Sequence, residues 1–178
     1  MLVSFDAETV FRHADKVSPG GMIIFDSSLS ETVLEEVPTI DFEANKRIRK
    51  LLQDSGQSTN LSGMLELAKA RGCIVYGLPY FEMIEAVAKN MNDPKLSKLS
   101  RVVNVMAISA SISLLGIKKD MLVGAIQEVF GSKPKLLASN IEAAGYAYSY
   151  IGTKYDTKNI KYKITPKDAL KDYLLISG

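Results

Sequence analysis

Apolar residues along this chain fall into two patterns, short unbroken runs and longer stretches with helical spacing. The runs are Leu2 to Phe5, Met22 to Phe25 and Cys73 to Leu78. Continuous apolar runs of this length predict parallel strands covered by helices on both faces. After the first run, Asp6 stands where an N-cap belongs, ahead of a helix to about Val17 that Ser18-Pro19-Gly20-Gly21 ends. Two charged amphipathic helices, broken at Ser55-Gly56, fill Asp41 to Arg71 and are expected as a peripheral layer. Another helix follows from Tyr80 to about Met91.

Asp93-Pro94 then supplies an N-cap and a proline at the first helical position, predicting a helix that runs to Gly116, a rod of roughly 35 Å. From Arg101 to Gly116 this helix is apolar nearly all round. It is therefore expected to be the most buried element, and Ile108→Asp is expected to unfold the domain. Met121, Leu122, Ala125, Ile126, Val129 and Phe130 predict the buried stripe of a second helix ending at Gly131. Leu137, Ile141, Ala144 and Tyr148 give a third helix its stripe.

Strands alternating with helices predict an α/β fold: a three-layer, Rossmann-like parallel sheet flanked by helices, with a C-terminal three-helix run. Three strands make a thin sheet with poorly protected edges, so further strands before Met1, or strands from another chain, are expected. Residues 1–152 form the predicted α/β domain. Residues 153–171 hold many lysines and little apolar periodicity, and predict an exposed basic linker. Residues 172–178 are again strand-like and are expected to begin a following module.

With 178 residues, 47% of them hydrophobic, the chain has the material for one cored domain and not for two ordinary ones. Its 22 basic and 20 acidic residues are well mixed, so no nucleic-acid footprint is expected. The near-apolar run Val102 to Ile117 is shorter than a bilayer span and contains Asn104 and three serines, so no membrane association is expected. The N-terminus lacks the pattern of a signal peptide, and one cysteine allows no disulfide within the chain, so a cytoplasmic location is expected.

Candidate chemistry is sparse. The sequence shows no glycine-rich nucleotide turn and no phosphate loop. His13, near the end of the first helix, is expected at the surface, where its charge favours the helix dipole. Cys73 is expected as a small buried hydrophobe. Asp26, Ser27 and Ser28 are the best-placed candidates for ligand contact, because open α/β sheets bind outside the carboxyl ends of their strands; capping and turn formation is the alternative role. Asn104 needs a hydrogen bond if buried, or else serves an interface. Tyr146, Tyr148 and Tyr150, with Tyr155 beyond, cannot all face one way on a helix, so some are expected at a subunit contact.

The opening Leu2-Val-Ser-Phe-Asp-Ala-Glu-Thr-Val-Phe-Arg-His13, then Pro19-Gly-Gly-Met-Ile-Ile-Phe-Asp-Ser-Ser28, resembles the central part of the gamma module of 2-oxoacid:ferredoxin oxidoreductases. Arg101-Val-Val-Asn104 with Leu115-Gly116 resembles that module's long central helix, and Ala125 to Phe130 with Lys133-Pro134 and Asn140 to Ala143 resembles its closing helix pair. The opening is most like archaeal forms in which the gamma module is fused ahead of a thiamine-binding alpha module, and Asp172 to Gly178 resembles the start of such a module.

The glycine-rich first turn and the Arg-Gly-Gly segment of the family do not appear, so on this resemblance the chain looks truncated at both ends. The resemblance implies oxidative decarboxylation of a 2-oxoacid such as pyruvate to an acyl-coenzyme A, with electrons passing to ferredoxin. It implies thiamine diphosphate, Mg, an iron-sulfur cluster and coenzyme A for the whole complex, and alpha and beta modules as partners. For this segment it implies no catalytic residue and no bound cofactor, but subunit packing and closure over coenzyme A. A free-standing interaction domain has the same helices, and a Rossmann-type transferase is disfavoured for want of a glycine turn.

Overall fold

A computed structural model describes residues 1–95, 101–157, 160 and 164, apart from the side chain of Arg101. Its centre is a parallel sheet of β1 (Leu2–Val3), β2 (Met22–Asp26) and β3 (Ile74–Leu78), in the order β1-β2-β3. Leu2 pairs with Ile23 in register, and Met22 with Ile74. A sheet that advances one strand at a time through right-handed crossovers places the intervening helices on one face. That is the observed arrangement: α1 (Ala7–His13), α2 (Phe42–Asp54) and α3 (Leu61–Ala70) pack with Ile23, Phe25 and Cys73 on one side. On the other, α4 (Tyr80–Asn90), α5 (Arg101–Leu114) and α7 (Pro134–Lys154) cover Met22, Ile24, Tyr76 and Leu78.

Alternate residues of β2 thus enter two separate cores, which is why the run is apolar throughout; Ile23 and Ile24 are both fully buried. Caps set the helix starts as the sequence predicts. The Asp6 carboxylate accepts from Thr9 N at 2.6 Å, and Asp41 accepts from Ala44 N at 2.9 Å. Gly116, at φ 75°, supplies the left-handed residue that stops α5. Contrary to expectation, α2 and α3 are no peripheral layer: Ile48, Leu52, Leu61 and Met64 are fully buried and build half of the core.

Three further expectations change. Asp93 Oδ1 accepts from Lys95 N at 3.0 Å, and residues 94 and 95 form a turn; the described helix begins at Arg101, and residues 96–100 of the expected rod lie outside the described residues. α5 is not buried all round. Met106, Ala107, Ala110 and Leu114 face the core, whereas Ile108 is 54% exposed and Asn104 is exposed beside it. The expected unfolding by Ile108→Asp is therefore withdrawn. In α6 (Lys119–Phe130), only Leu122 and Ile126 of the expected stripe are buried; Phe130 packs in part, and Met121, Ala125 and Val129 are exposed. Two adjacent columns of apolar residues competed for one contact with Ala144, and a helix can turn only one of them inward.

The first residues of the expected linker, Thr153 and Lys154, are exposed and helical. α7 continues to Lys154, Tyr155 stacks edge-on against Tyr76 at 5.0 Å and donates to Gly77 O at 2.7 Å, and Ile160 is buried in the core. Isolated anchors of this kind carry no periodicity, so the sequence pattern missed them. The rest of the expected linker, with the strand-like residues 172–178, lies outside the described residues. None of the described helices is long and apolar enough to cross a membrane.

Candidate functional site

The three strands end side by side, and their carboxyl edge gathers Ser4 to Asp6, Asp26 to Ser28, and Gly77 to Tyr80. Almost every polar atom there holds its own loop. Ser4 Oγ donates to Asp6 O at 2.6 Å. Asp26 Oδ1 accepts from Ser28 N at 3.0 Å and from Ser28 Oγ at 2.7 Å, closing the short 3₁₀ turn Ser27–Leu29. Ser27 lies against Gly77, where a Cβ would come 3.1 Å from Ser27 Cβ and 3.3 Å from the Phe25 ring. A side chain there would press on Ser27 and the Phe25 ring, so β3 and the Asp26–Ser28 turn pack closely. The turn role weighed for these three residues is visible in the geometry.

The exception is Tyr80, which the sequence did not single out. It opens α4 directly after Pro79, is 2% exposed, and its ring lies 5.8 Å from that of Phe5. Its hydroxyl is buried and has no hydrogen-bond partner among the described residues. Burial pushes the phenol pKa up from its ordinary value of 10.0, and the negative charge of Asp26 adds to the effect. A raised folded-state pKa means that stability is fully present below pH 10 and falls as the pH climbs above it, because the unfolded chain ionises first. Tyr80→Phe should therefore raise stability by about 1 kcal/mol near neutral pH, by deleting an unsatisfied buried hydroxyl, and should lessen the loss above pH 10. Urea titrations at neutral pH and above pH 10 test this. A destabilised Tyr80→Phe would show that the hydroxyl has a partner.

The other candidates lie elsewhere. Asn104 lines an apolar cleft of about 370 Å³ with Val3, Phe5, Ala107, Ile108 and Ser111, beside the outer edge of β1. Tyr148 turns inward and donates to Ile117 O at 2.9 Å. Tyr146 and Tyr150 instead line a groove of about 500 Å³ with Lys119 and Gly145. The fold thus does not bring Asp26–Ser28 and these tyrosines into one site. His13 is exposed, its Nδ1 3.4 Å from Lys16 Nζ. Cys73 is buried, with Sγ 3.5 Å from Val17 O.

The donor set does not fit an iron-sulfur cluster, which needs several thiolates, or a metal held by carboxylates and imidazoles: Cys73 stands alone, and the described residues contain no group of three metal-ligating side chains.

Residues 1–150 match the family described as pyruvate ferredoxin/flavodoxin oxidoreductase. Over all 178 residues the chain is 32% identical to 2-oxoacid:ferredoxin oxidoreductase 1, subunit alpha, of Sulfurisphaera tokodaii, covering 27% of that protein. It is likewise 32% identical over its full length to 2-oxoacid:ferredoxin oxidoreductase subunit alpha of a Sulfolobus species, covering 26% of it. Against 2-oxoacid:ferredoxin oxidoreductase 2, subunit alpha, of Aeropyrum pernix it is 27% identical over 150 residues, 84% of this chain and 23% of that protein. The chain spans about a quarter of the length of these relatives.

Proposed function

The chain belongs to the pyruvate ferredoxin/flavodoxin oxidoreductase family, and we propose that within it the chain is a non-catalytic, gamma-type module of a cytoplasmic 2-oxoacid:ferredoxin oxidoreductase. The observation that carries this is the family match over 1–150 on a fold whose carboxyl-edge polar atoms are largely committed to holding its own loops. In the complex, alpha and beta modules would supply thiamine diphosphate with Mg and the iron-sulfur cluster, and ferredoxin would take the electrons. Coenzyme A would be closed over by this module, with the Asp26–Ser28 turn and the buried Tyr80 hydroxyl at the edge nearest the ligand. The gamma-alpha fusion suggested by the archaeal resemblance is part of the same proposal.

A sheet edge that pairs with no other described strand favours the reading of a packing module. β1 is an edge strand of two residues, and the cleft beside it exposes Phe5 and Ile108. Unpaired strand edges flanked by apolar side chains are normally covered. A strand or loop of a companion module on this edge would also explain why α5 is apolar on the side the domain itself leaves bare.

Coexpression with the remaining modules should give a complex that reduces ferredoxin when supplied with a 2-oxoacid and coenzyme A. Omitting this chain should lower the rate or weaken coenzyme A binding by about tenfold or more, the usual scale for losing a positioning contact. An unchanged rate together with unchanged coenzyme A affinity would overturn the proposal.

A further inference from the structure

α7 has two working sides. One, through Ala143, Ala147 and Ile151, enters the core. The other, from Ile141 to Thr153, forms one wall of the 500 Å³ groove, and Lys119 at the start of α6 faces it. The groove follows the helix for about 18 Å. Its floor contains Gly145, a residue disfavoured in mid-helix. A Cβ at Gly145 would come 3.0 Å from Lys119 Nζ and 3.4 Å from Lys119 Cε. The missing side chain is what lets this ammonium lie across the groove.

The groups lining the groove are left with unused hydrogen-bonding capacity. Among the described residues no carboxylate lies within 4.0 Å of Lys119 or Lys154. Lys154 Nζ sits 5.8 Å from the centre of the Tyr150 ring. Glu142, the carboxylate of the groove itself, is held by Asn90 Nδ2 at 3.1 Å. Tyr148 and Tyr155 both spend their hydroxyls on backbone carbonyls, whereas those of Tyr146 and Tyr150 bond to nothing among the described residues. One cation, Lys119, and two phenolic donors therefore line one trough, with aromatic rings as its apolar wall and Glu142 turned to Asn90.

Resting on the function proposed above, we propose that this groove docks an acidic segment of a companion polypeptide of the oxidoreductase. A carboxylate on that segment pairs with Lys119, the Tyr146 and Tyr150 hydroxyls donate to it or to its backbone, and the ring bodies bury its apolar part. The length of the groove matches three helical turns or about five extended residues. The partner chemistry follows from Lys119, since Glu142 already accepts from Asn90: an apolar segment would leave Lys119 desolvated and unpaired, and a basic one would be repelled by it.

The test measures affinity of the full chain for the coexpressed companion subunits, at low and at high salt. Lys119→Glu and Gly145→Leu should each weaken binding by about tenfold or more, Lys119→Arg should stay within about threefold, and Lys46→Glu, on α2 across the sheet, should change nothing. The penalty of Lys119→Glu should shrink as salt rises. Gly145→Ala controls for folding: only the end of a flexible lysine need move, so its thermal midpoint should equal or exceed that of the native chain. Native-level binding by both Lys119→Glu and Gly145→Leu, or an equal loss with Lys46→Glu, would overturn the groove as the docking site while leaving the proposed function standing. Failure of the native chain to join the complex would instead overturn that function, and the groove's role with it.

Discussion

Met106→Asp is expected to leave the chain unfolded at room temperature, and Ile108→Asp, two residues along the same helix, is expected to fold. Met106 is fully buried where α5 meets the sheet, among Ile24, Leu78 and Ala147. Aspartate there forfeits the packing of a large side chain and introduces a carboxylate with no described cation in that cluster. The combined cost, about 5 kcal/mol or more, is comparable with the whole stability of a domain this size. Ile108 is 54% exposed, so its replacement should cost about 1 kcal/mol or less. Far-UV circular dichroism with thermal melts checks both. Equal midpoints for the two variants would mean that the orientation of α5 is wrong. If Ile108→Asp folds yet no longer joins the companion subunits, the exposed stripe of α5 is an interface.

Gly63→Ala is expected to destabilise the chain by about 1–3 kcal/mol, although it adds a single methyl group and replaces a poor helix former with the best one. Gly63 lies in the first turn of α3, where its N–H donates to the capping side chain of Asn60 at 2.9 Å. A Cβ at this position would come 2.0 Å from Ser58 O, a backbone atom. Moving that carbonyl means moving the turn before α3, which also pairs Leu34 N with Thr59 O and Asn60 with Val33. Chemical denaturation of the two proteins decides it. The contrast with Gly145→Ala is instructive, since the obstacle there is a lysine tip that swings away. A stabilised Gly63→Ala would show that the turn yields freely.

The layered architecture was legible in the sequence because its causes are local. A run such as Met22 to Phe25, apolar at every position, is consistent with a strand buried on both faces, and Asp6, Asp41 and Gly116 mark helix ends through hydrogen bonds and backbone angles made within a few residues. That one cysteine and one histidine cannot make a thiolate or imidazole ligand set by themselves was equally plain. The turn role of Asp26 and Ser28 also needed no tertiary knowledge, since donor and acceptor are two residues apart.

What the sequence could not decide was which of several equivalent faces meets the core. α5 is apolar around its axis, so periodicity cannot say that Met106 turns inward and Ile108 outward; that depends on where the sheet ends. α6 offers Met121 and Leu122 in adjacent columns, and only packing against α5 and α7, at Ala144, Ile112 and Ile141 among others, selects the second. Tyr80, Lys119 and Gly145 are ordinary residues in the linear chain. They acquire meaning because β3 delivers Tyr80 beneath Phe5, and because α6 folds back along α7 until Lys119 reaches Gly145. Local hydrogen bonds and side-chain alternation are fixed by neighbours in sequence, whereas burial and the freedom of a polar group are fixed by chain segments that only folding brings near.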